Sequence, residues 1–365
     1  MNRTKTDRQF IYALLFLLVF GAGMIFSASW PLVAASDAGP LYYLKNHLVF
    51  MGIGLFCFFL TSITDYHLYD KWAGPIYVVA WVLSWLVFFS GLGTDQNTFA
   101  RRWIMVGGKT FMPSDLLKFA SIALLSWLLA RHRDIKSFQT ATLWILGFIV
   151  ATALPIYCQP DFSTTVTIVL TLFVLFYIAG MNVRHILPIA VAAIALGILL
   201  IVKDPERMSR LLAFRDPLKY YDDEGWQPSH SLFAVSTGGV FGVGPGLSRQ
   251  KYTLSQAHND FIFAIIAEEL GLIGCLILIA VFSFFVYRGV AIALEAKDAY
   301  GRYLGLGITS LFGIQALINM GVVLGLVPPT GIGFPFISYG GSSLVVFLAM
   351  AGILVNISRQ RRSKA

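Results

Sequence analysis

Charge is scarce in this sequence. Asp, Glu, Lys and Arg make up 13% of its 365 residues, while 57% are hydrophobic. Soluble domains are about a quarter charged and about half apolar. The mean hydropathy of +0.73 is spread along the whole length, which excludes an ordinary soluble fold and indicates a polytopic membrane protein. Cysteine is scarcer still. Cys57, Cys158 and Cys275 each lie in or at the edge of an apolar segment, without paired spacing. That removes a disulfide framework and a cysteine metal site, and leaves three small hydrophobes. No period of about 20–50 residues recurs, and neither half duplicates the other. No Gly-Lys-Ser/Thr follows Gly238, Gly239, Gly242, Gly244 and Gly246, so these glycines do not form a phosphate-binding P-loop.

What the chain does have is a net charge of +8 and a run of apolar segments. In a soluble protein that charge would suggest nucleic acid. Here the basic residues cluster in short loops between apolar runs, so membrane topology and anionic lipid account for them and no nucleic-acid partner is expected. After a basic "MNRTKTDRQ", the uncharged run Phe10–Trp30 is too long for a signal-peptide core and reads as an uncleaved first span. A helix crossing hydrocarbon needs about 20 mostly apolar residues. Ten segments qualify: Phe10–Trp30, Asn46–Ile63, Ala73–Leu92, Ser114–Ala130, Ala141–Cys158, Phe162–Ala179, Ile186–Val202, Phe261–Tyr287, Tyr303–Leu326 and Ile337–Ile357. The fourth and seventh are short. The expected fold is all-α: one membrane domain over residues 1–365, with a long loop at Lys203–Asp260 between spans seven and eight. With the N-terminus inside, inner segments carry 15 lysines and arginines and outer segments carry 5, leaving the long loop aside. The bias puts both termini in the cytoplasm and the long loop outside the cytoplasmic membrane.

On this topology the inner loops hold few acids and the outer rim holds many, and polar groups near membrane depth usually mark a working site. In "FARRWIMVGGKTFMPSDLLKFA", Pro113-Ser114 reads as a helix start. Asp115 and Lys118 are three apart and share one helix face. A structural ion pair is favoured on spacing over a charged cavity wall. Arg101 and Arg102, beside Trp103, suit interfacial anchors or phosphate binders. In "YCQPDFSTTV", Asp161 or Ser163 caps the following helix.

The richest stretch is "GWQPSHSLFAVSTGGVFGVGPGLSRQKYTLSQAHNDF". Its glycines suit tight backbone at the membrane surface. Arg249 and Lys251 lie close in sequence to His258 and Asp260, as an anionic substrate with a reacting hydroxyl requires. A solvated loop is the equal alternative. Asp260, Ala264 and Glu268 line one side of the next helix, with Glu268 about 12 Å further in. Glu268 and Glu269 read as partners of loop cations. The prolines and glycines of "NMGVVLGLVPPTGIGFPFISYGGSSLVVF" break the ninth span, and non-helical backbone there must be buried in protein or line water. That favours a polar cavity under the rim.

"QPDFSTT", "GWQPSHSLFAVSTGG", "AHNDFIFAIIAEELG" and "GFPFISYGGSSL" resemble, in order and across nearly the whole chain, the signature segments of the SEDS proteins (shape, elongation, division and sporulation), the family of FtsW, RodA and SpoVE. The resemblance implies a peptidoglycan glycosyltransferase that polymerises lipid II outside the cytoplasmic membrane, with a class B penicillin-binding transpeptidase and other division proteins as partners. It places the catalytic aspartate at Asp260, the acid and lysine of the "PSExxK" segment at Asp115 and Lys118, and the "RWI" arginine at Arg102. Asp115 stands where glutamate is usual, and Met112 where glutamine is usual. "AHNDFIFAIIAEELG" and "AGILVNISRQ" are nearer to FtsW and SpoVE than to RodA, which implies a division role with sporulation as its rival.

A sugar hydroxyl attacks once a base takes its proton, and a lipid pyrophosphate leaves without an acid if positive charge receives it. Asp260 is therefore the expected base, with Arg102, Lys118, Arg249 and Lys251 as candidate pyrophosphate holders. Asp115 and His258 complete the substrate-binding set. The sequence requires no cofactor; a divalent cation, Mg²⁺ or Mn²⁺, stays open for the same job. The alternatives are a flippase or transporter for the same lipid and a non-enzymatic division scaffold. Transporters often show repeated halves and broken spans meeting at mid-membrane, and here the ionisable residues gather at the rim.

Overall fold

A computed structural model describes residues 6–34, 39, 41–89, 93–94, 102–106, 109–131, 138–181 and 183–361. Leu92, Arg101 and the basic residues Arg3, Lys5, Arg133, Lys136, Arg362 and Lys364 lie outside them. Each of the ten apolar runs falls on a helix, because a backbone in hydrocarbon must pair its own N–H and C=O groups. The helices are α1 (Arg8–Ala34), α2 (Tyr42–Ile63), α3 (His67–Phe89), α4 (Pro113–Arg131), α5 (Phe138–Cys158), α6 (Phe162–Ile178), α7 (Val183–Val202), α8 (Pro205–Arg215), α9 (Trp226–Gly238), α10 (Ile262–Leu294), α11 (Ala299–Val323) and α12 (Gly341–Arg359). Among the described residues, seven helices are long and apolar enough to cross a membrane: α1, α2, α3, α4, α10, α11 and α12. The apolar stretches of α5, α6 and α7 are shorter.

Large apolar side chains stand exposed around the outside, among them Val19, Phe56, Leu143, Val191 and Ile194. A surface that apolar is stable only against lipid. Polar groups and small residues work inside. Gly352 lies so close to Phe58 O that a Cβ there would come within 2.4 Å, and Thr61 Oγ1 donates to Ala349 O at 2.8 Å, so α2 and α12 touch backbone to backbone. A cluster of Phe10, Phe263, Phe282, Phe285, Phe312, Phe334, Phe336 and Phe347 fills the centre, with adjoining ring centroids 4.6–6.2 Å apart. At the end bearing both termini, Asp7 caps Phe10 N at 3.0 Å and pairs with Arg288 and Arg361.

Three features depart from the sequence reading. First, the fold is not wholly helical. A three-stranded antiparallel sheet of β1 (Gly93–Thr94), β2 (Trp103–Val106) and β3 (Lys109–Phe111) joins α3 to α4. Its register pairs Ile104 with both Gly93 and Phe111. The β-formers of "WIMV" and "KTF", separated in sequence by two glycines, carry a hairpin signal that the all-α assignment passed over. Second, Lys203–Asp260 is no bare loop: it holds α8, α9 and a 3₁₀ turn at Gln250–Tyr252. The polar residues of "GWQPSH" tie these pieces together. Gln227 Nε2 donates to Ser255 Oγ at 2.8 Å, and His230 bridges Gln250 Oε1 and the Tyr221 hydroxyl.

Third, α10 is broken at Gly271, where φ is +64° and ψ −165°. The break frees the carbonyls of Glu268 and Glu269 and the N–H groups of Leu272 and Ile273. The Gly-rich loop supplies the complementary set. Val243 N donates to Glu268 O and Gly244 N to Glu269 O, while Leu272 N donates to Gly239 O and Ile273 N to Val240 O, all at 2.9–3.1 Å. An interrupted helix is tolerated at membrane depth only with such replacements. This explains the glycines, because a Cβ on Gly242 (φ +82°) would lie 2.2 Å from Glu269 O. Gly242→Ala is expected to cost on the order of 1–3 kcal/mol, read as a lower melting temperature in detergent. An unchanged melting temperature would contradict the zipper.

Candidate functional site

Asp260 sits just before α10, in a turn that runs from Ser255 to Phe261. The three carbonyls of that approach are each fixed from another part of the chain. His258 O accepts from Tyr339 N at 2.9 Å, Asn259 O accepts from Ser338 Oγ at 2.7 Å, and Asp260 O accepts from Asn319 Nδ2 at 2.7 Å. The Asp260 carboxylate faces the 330–333 segment: a Cβ built on Gly331 would lie 3.5 Å from its Oδ2. It makes no side-chain hydrogen bond with a described residue. The residue is half-buried, so the carboxyl stays reachable while losing much of its water. Desolvation pushes its pKa up to about 7; the Arg102 guanidinium opposes the shift and the Asp161 carboxylate adds to it.

Arg102 is delivered by the hairpin. It lies one residue before β2, and its guanidinium donates to Gln159 O at 3.3 Å and to Pro160 O, the turn between α5 and α6. That turn is braced by Gln159 Nε2 on Ser84 O at 2.6 Å. Asp161 caps α6 as the sequence suggested, with Oδ1 accepting from Thr164 N at 3.0 Å. Its Oδ2 is buried without a partner among the described residues. An apolar pocket is lined by Phe214, Pro217, Pro228, Leu232, Val322, Gly325, Val327, Pro329 and Phe261, the residue that follows Asp260.

Asp115 and Lys118 form the expected ion pair, Nζ to Oδ1 at 3.0 Å, and both are buried. Ser342 and Ser343, in the first turn of α12, donate to Asp115 Oδ2 at 3.2 and 2.7 Å. The positive end of the α12 dipole reinforces the carboxylate. This group and Asp260 are joined by a short piece of chain, since Tyr339 holds His258 and Ser342 holds Asp115.

The other candidates sit elsewhere. Lys251 is not a free cation. It is buried, with Nζ donating to Gly246 O at 2.7 Å and lying 3.5 Å from Glu269 Oε1 and from Ser27 Oγ. Arg249 is exposed, and its backbone N–H donates to Glu268 Oε1 at 3.0 Å. Glu268 therefore corrects the expectation of a cation partner: it accepts from Ser248 Oγ and from the Arg249 and Gln250 amides, and so anchors the 3₁₀ turn. The Arg249 backbone and the Lys251 side chain are thus tied to Glu268 and Glu269 of α10. His258 is buried between Tyr43 and Tyr339, with ring centroids at 4.7 and 5.3 Å. Burial lowers its pKa to about 4, which favours the neutral imidazole.

The 324–340 stretch is divided: residues 324–331 are exposed or half-buried, with Gly325, Val327 and Pro329 lining the apolar pocket, whereas Ile332, Phe334, Phe336, Ile337 and Ser338 are buried. Side chains from α11 hold it: Gln315 Nε2 donates to Gly333 O at 3.0 Å, and Asn319 Nδ2 to Ile332 O at 2.7 Å. The sequence reading missed Gln315, Asn319 and Ser338. A signal existed, because Gln315 and Asn319 are amides four apart, on one face of an apolar span.

A family model described as cell cycle protein, covering FtsW, RodA and SpoVE, matches residues 8–363. Stage V sporulation protein E of Bacillus subtilis is 38% identical over 365 residues, spanning 99% of this chain and 99% of its own. A probable peptidoglycan glycosyltransferase FtsW from a Geobacter species is 36% identical, spanning 96% of this chain and 95% of its own. Among solved structures, a chain of a peptidoglycan synthase complex superposes with a TM-score of 0.81 at 25% identity, over 98% of this chain and 99% of that one. The rod shape determining protein RodA of Thermus thermophilus shares the fold, with a TM-score of 0.73 over the full length of both chains. Helices that require lipid on their outer faces, an aspartate clamped in front of the broken α10, and matches running end to end agree: this chain belongs to the FtsW/RodA/SpoVE family of cell cycle proteins.

Proposed function

We propose that this protein is a peptidoglycan glycosyltransferase that polymerises lipid II at the outer face of the cytoplasmic membrane during cell division, with inversion at the anomeric carbon and Asp260 as general base. The observation that carries the reading is the Asp260 carboxylate: clamped through its backbone, free of side-chain hydrogen bonds with the described residues, and poised by burial near neutrality. A base is most effective with a pKa near the working pH. Asp260 takes the proton from the 4-hydroxyl of the acceptor GlcNAc. That oxygen forms a bond to C1 of the donor MurNAc as the bond from C1 to the pyrophosphate breaks, and undecaprenyl pyrophosphate departs with the electron pair.

Arg102 is a cation close to this chemistry, since its field acts on Asp260, and it receives the negative charge that develops on the leaving group. The apolar pocket beside Phe261 and Pro329 is a fitting entrance for the first isoprene units. Asp115 and Lys118 support the floor through Ser342 and Ser343. The topology in this reading has ten spans and both termini in the cytoplasm, following the excess of inner basic residues. Residues 203–260 then face outward within a single membrane domain. Relatives bearing the name peptidoglycan glycosyltransferase and a structural neighbour drawn from a synthase complex support both the activity and a class B penicillin-binding protein as partner.

The test uses purified protein with its transpeptidase partner and lipid II in detergent, with no sealed compartment. Glycan polymer is the expected product. Absence of polymer from folded protein would favour a transporter or a scaffold instead.

A further inference from the structure

Asn319 is buried in the last turns of α11, far in sequence from Asp260. Its side-chain nitrogen has two hydrogens to give, and the two acceptors are Asp260 O and Ile332 O, each at 2.7 Å. Those carbonyls belong to the two segments that meet at the carboxylate, the approach to α10 and the 330–333 segment facing Oδ2. One amide group therefore fixes the distance between the base and the wall opposite it. The neighbouring ties are weaker candidates for this role: Ser338 holds Asn259 rather than Asp260, and Gln315 reaches only the 330–333 segment.

We propose that Asn319 is a positioning residue for catalysis: by bridging Asp260 O and Ile332 O it sets where the Asp260 carboxylate stands against the acceptor hydroxyl. The inference rests on the reading of Asp260 as the base. Asn319 touches neither sugar nor pyrophosphate, and it acts wholly through Asp260. Leucine in its place has similar volume and no donor, leaving both carbonyls unpaired. Glutamine keeps both hydrogens but carries them one methylene away.

The experiment compares Asn319→Leu, Asn319→Gln, Asp260→Asn and the double variant Asn319→Leu/Asp260→Asn in full-length protein with its partner. It measures turnover on lipid II, the KM for lipid II and the melting temperature. Displacing a reacting group by about 1 Å can cost on the order of 10²-fold, so Asn319→Leu is expected to lose roughly that much turnover with its KM within about threefold. Asn319→Gln is expected to lose roughly tenfold while melting like the parent, which keeps the test open if the leucine variant does not fold. In the Asp260→Asn background, Asn319→Leu is expected to cause no further loss, because a residue that acts only through the base has nothing left to position.

Parental turnover by both Asn319 variants, or an equal loss with and without the Asp260 carboxylate, would overturn the proposal. So would a loss that only follows the folded fraction. Normal turnover by Asp260→Asn alone is a different result: it would sink the base assignment itself.

Discussion

Asp260→Asn is expected to lower lipid II polymerisation by at least roughly 10²–10⁴-fold, the contribution of a positioned general base, while substrate binding and melting temperature stay close to the parent. The asparagine keeps the volume of aspartate, and the carbonyls of residues 258–260 remain held by Tyr339, Ser338 and Asn319. Only the ability to accept the proton goes. The parent enzyme should show the matching pH dependence. The active form is the ionised carboxylate, whose pKa lies at about 7, so the rate rises as pH increases through that value and levels off above it. Removing the opposing cation with Arg102→Gln moves this limb to higher pH, because desolvation and Asp161 then act unopposed. Initial rates across the pH range read both effects. A rate that is flat through neutrality, or an Asp260→Asn variant that polymerises at full speed, would remove Asp260 from the chemistry.

The second large effect concerns the buried pair. Asp115→Asn strands the Lys118 ammonium inside the protein, and breaking a buried ion pair from one side costs about 3–5 kcal/mol. The fold should weaken by that order, read as an early thermal transition in detergent. Lys118→Met is expected to be milder, because Ser342 and Ser343 still donate to the carboxylate. The informative variant is the double replacement Asp115→Leu/Lys118→Met, which strands no charge and is expected to regain most of the stability. If it folds and polymerises, the pair is scaffolding. If it folds and does not polymerise, the charges serve the reaction as well. A single Asp115→Asn variant as stable as the parent would show that the lysine finds water or another acceptor.

Much of the architecture was legible in the sequence because its cause is local. A mostly apolar run of about the right length becomes a helix in lipid whatever lies beside it, so each of the ten segments falls on a helix, with shifted ends and, in α10, the break at Gly271. Asp161 could be read as a cap and Asp115–Lys118 as a pair for the same reason: each depends on neighbours three residues away. Asp260 stood out as a carboxylate at the mouth of a span. The small sheet was missed although its hairpin signal was present.

What tertiary structure alone decided is the set of partners for these groups. Lys251 and Glu269 meet, and Glu268 grips the amides after Ser248, because α10 breaks at Gly271 and a glycine-rich loop 30 residues upstream supplies the missing backbone bonds. Asn319 reaches Asp260 across 59 residues, and Ser343 reaches Asp115 across 228. A pattern of apolar residues reports which face of a helix avoids water, and carries no information on which distant backbone group has lost its partner. Those unpaired groups, costly in a medium without water, determined where the polar side chains had to go.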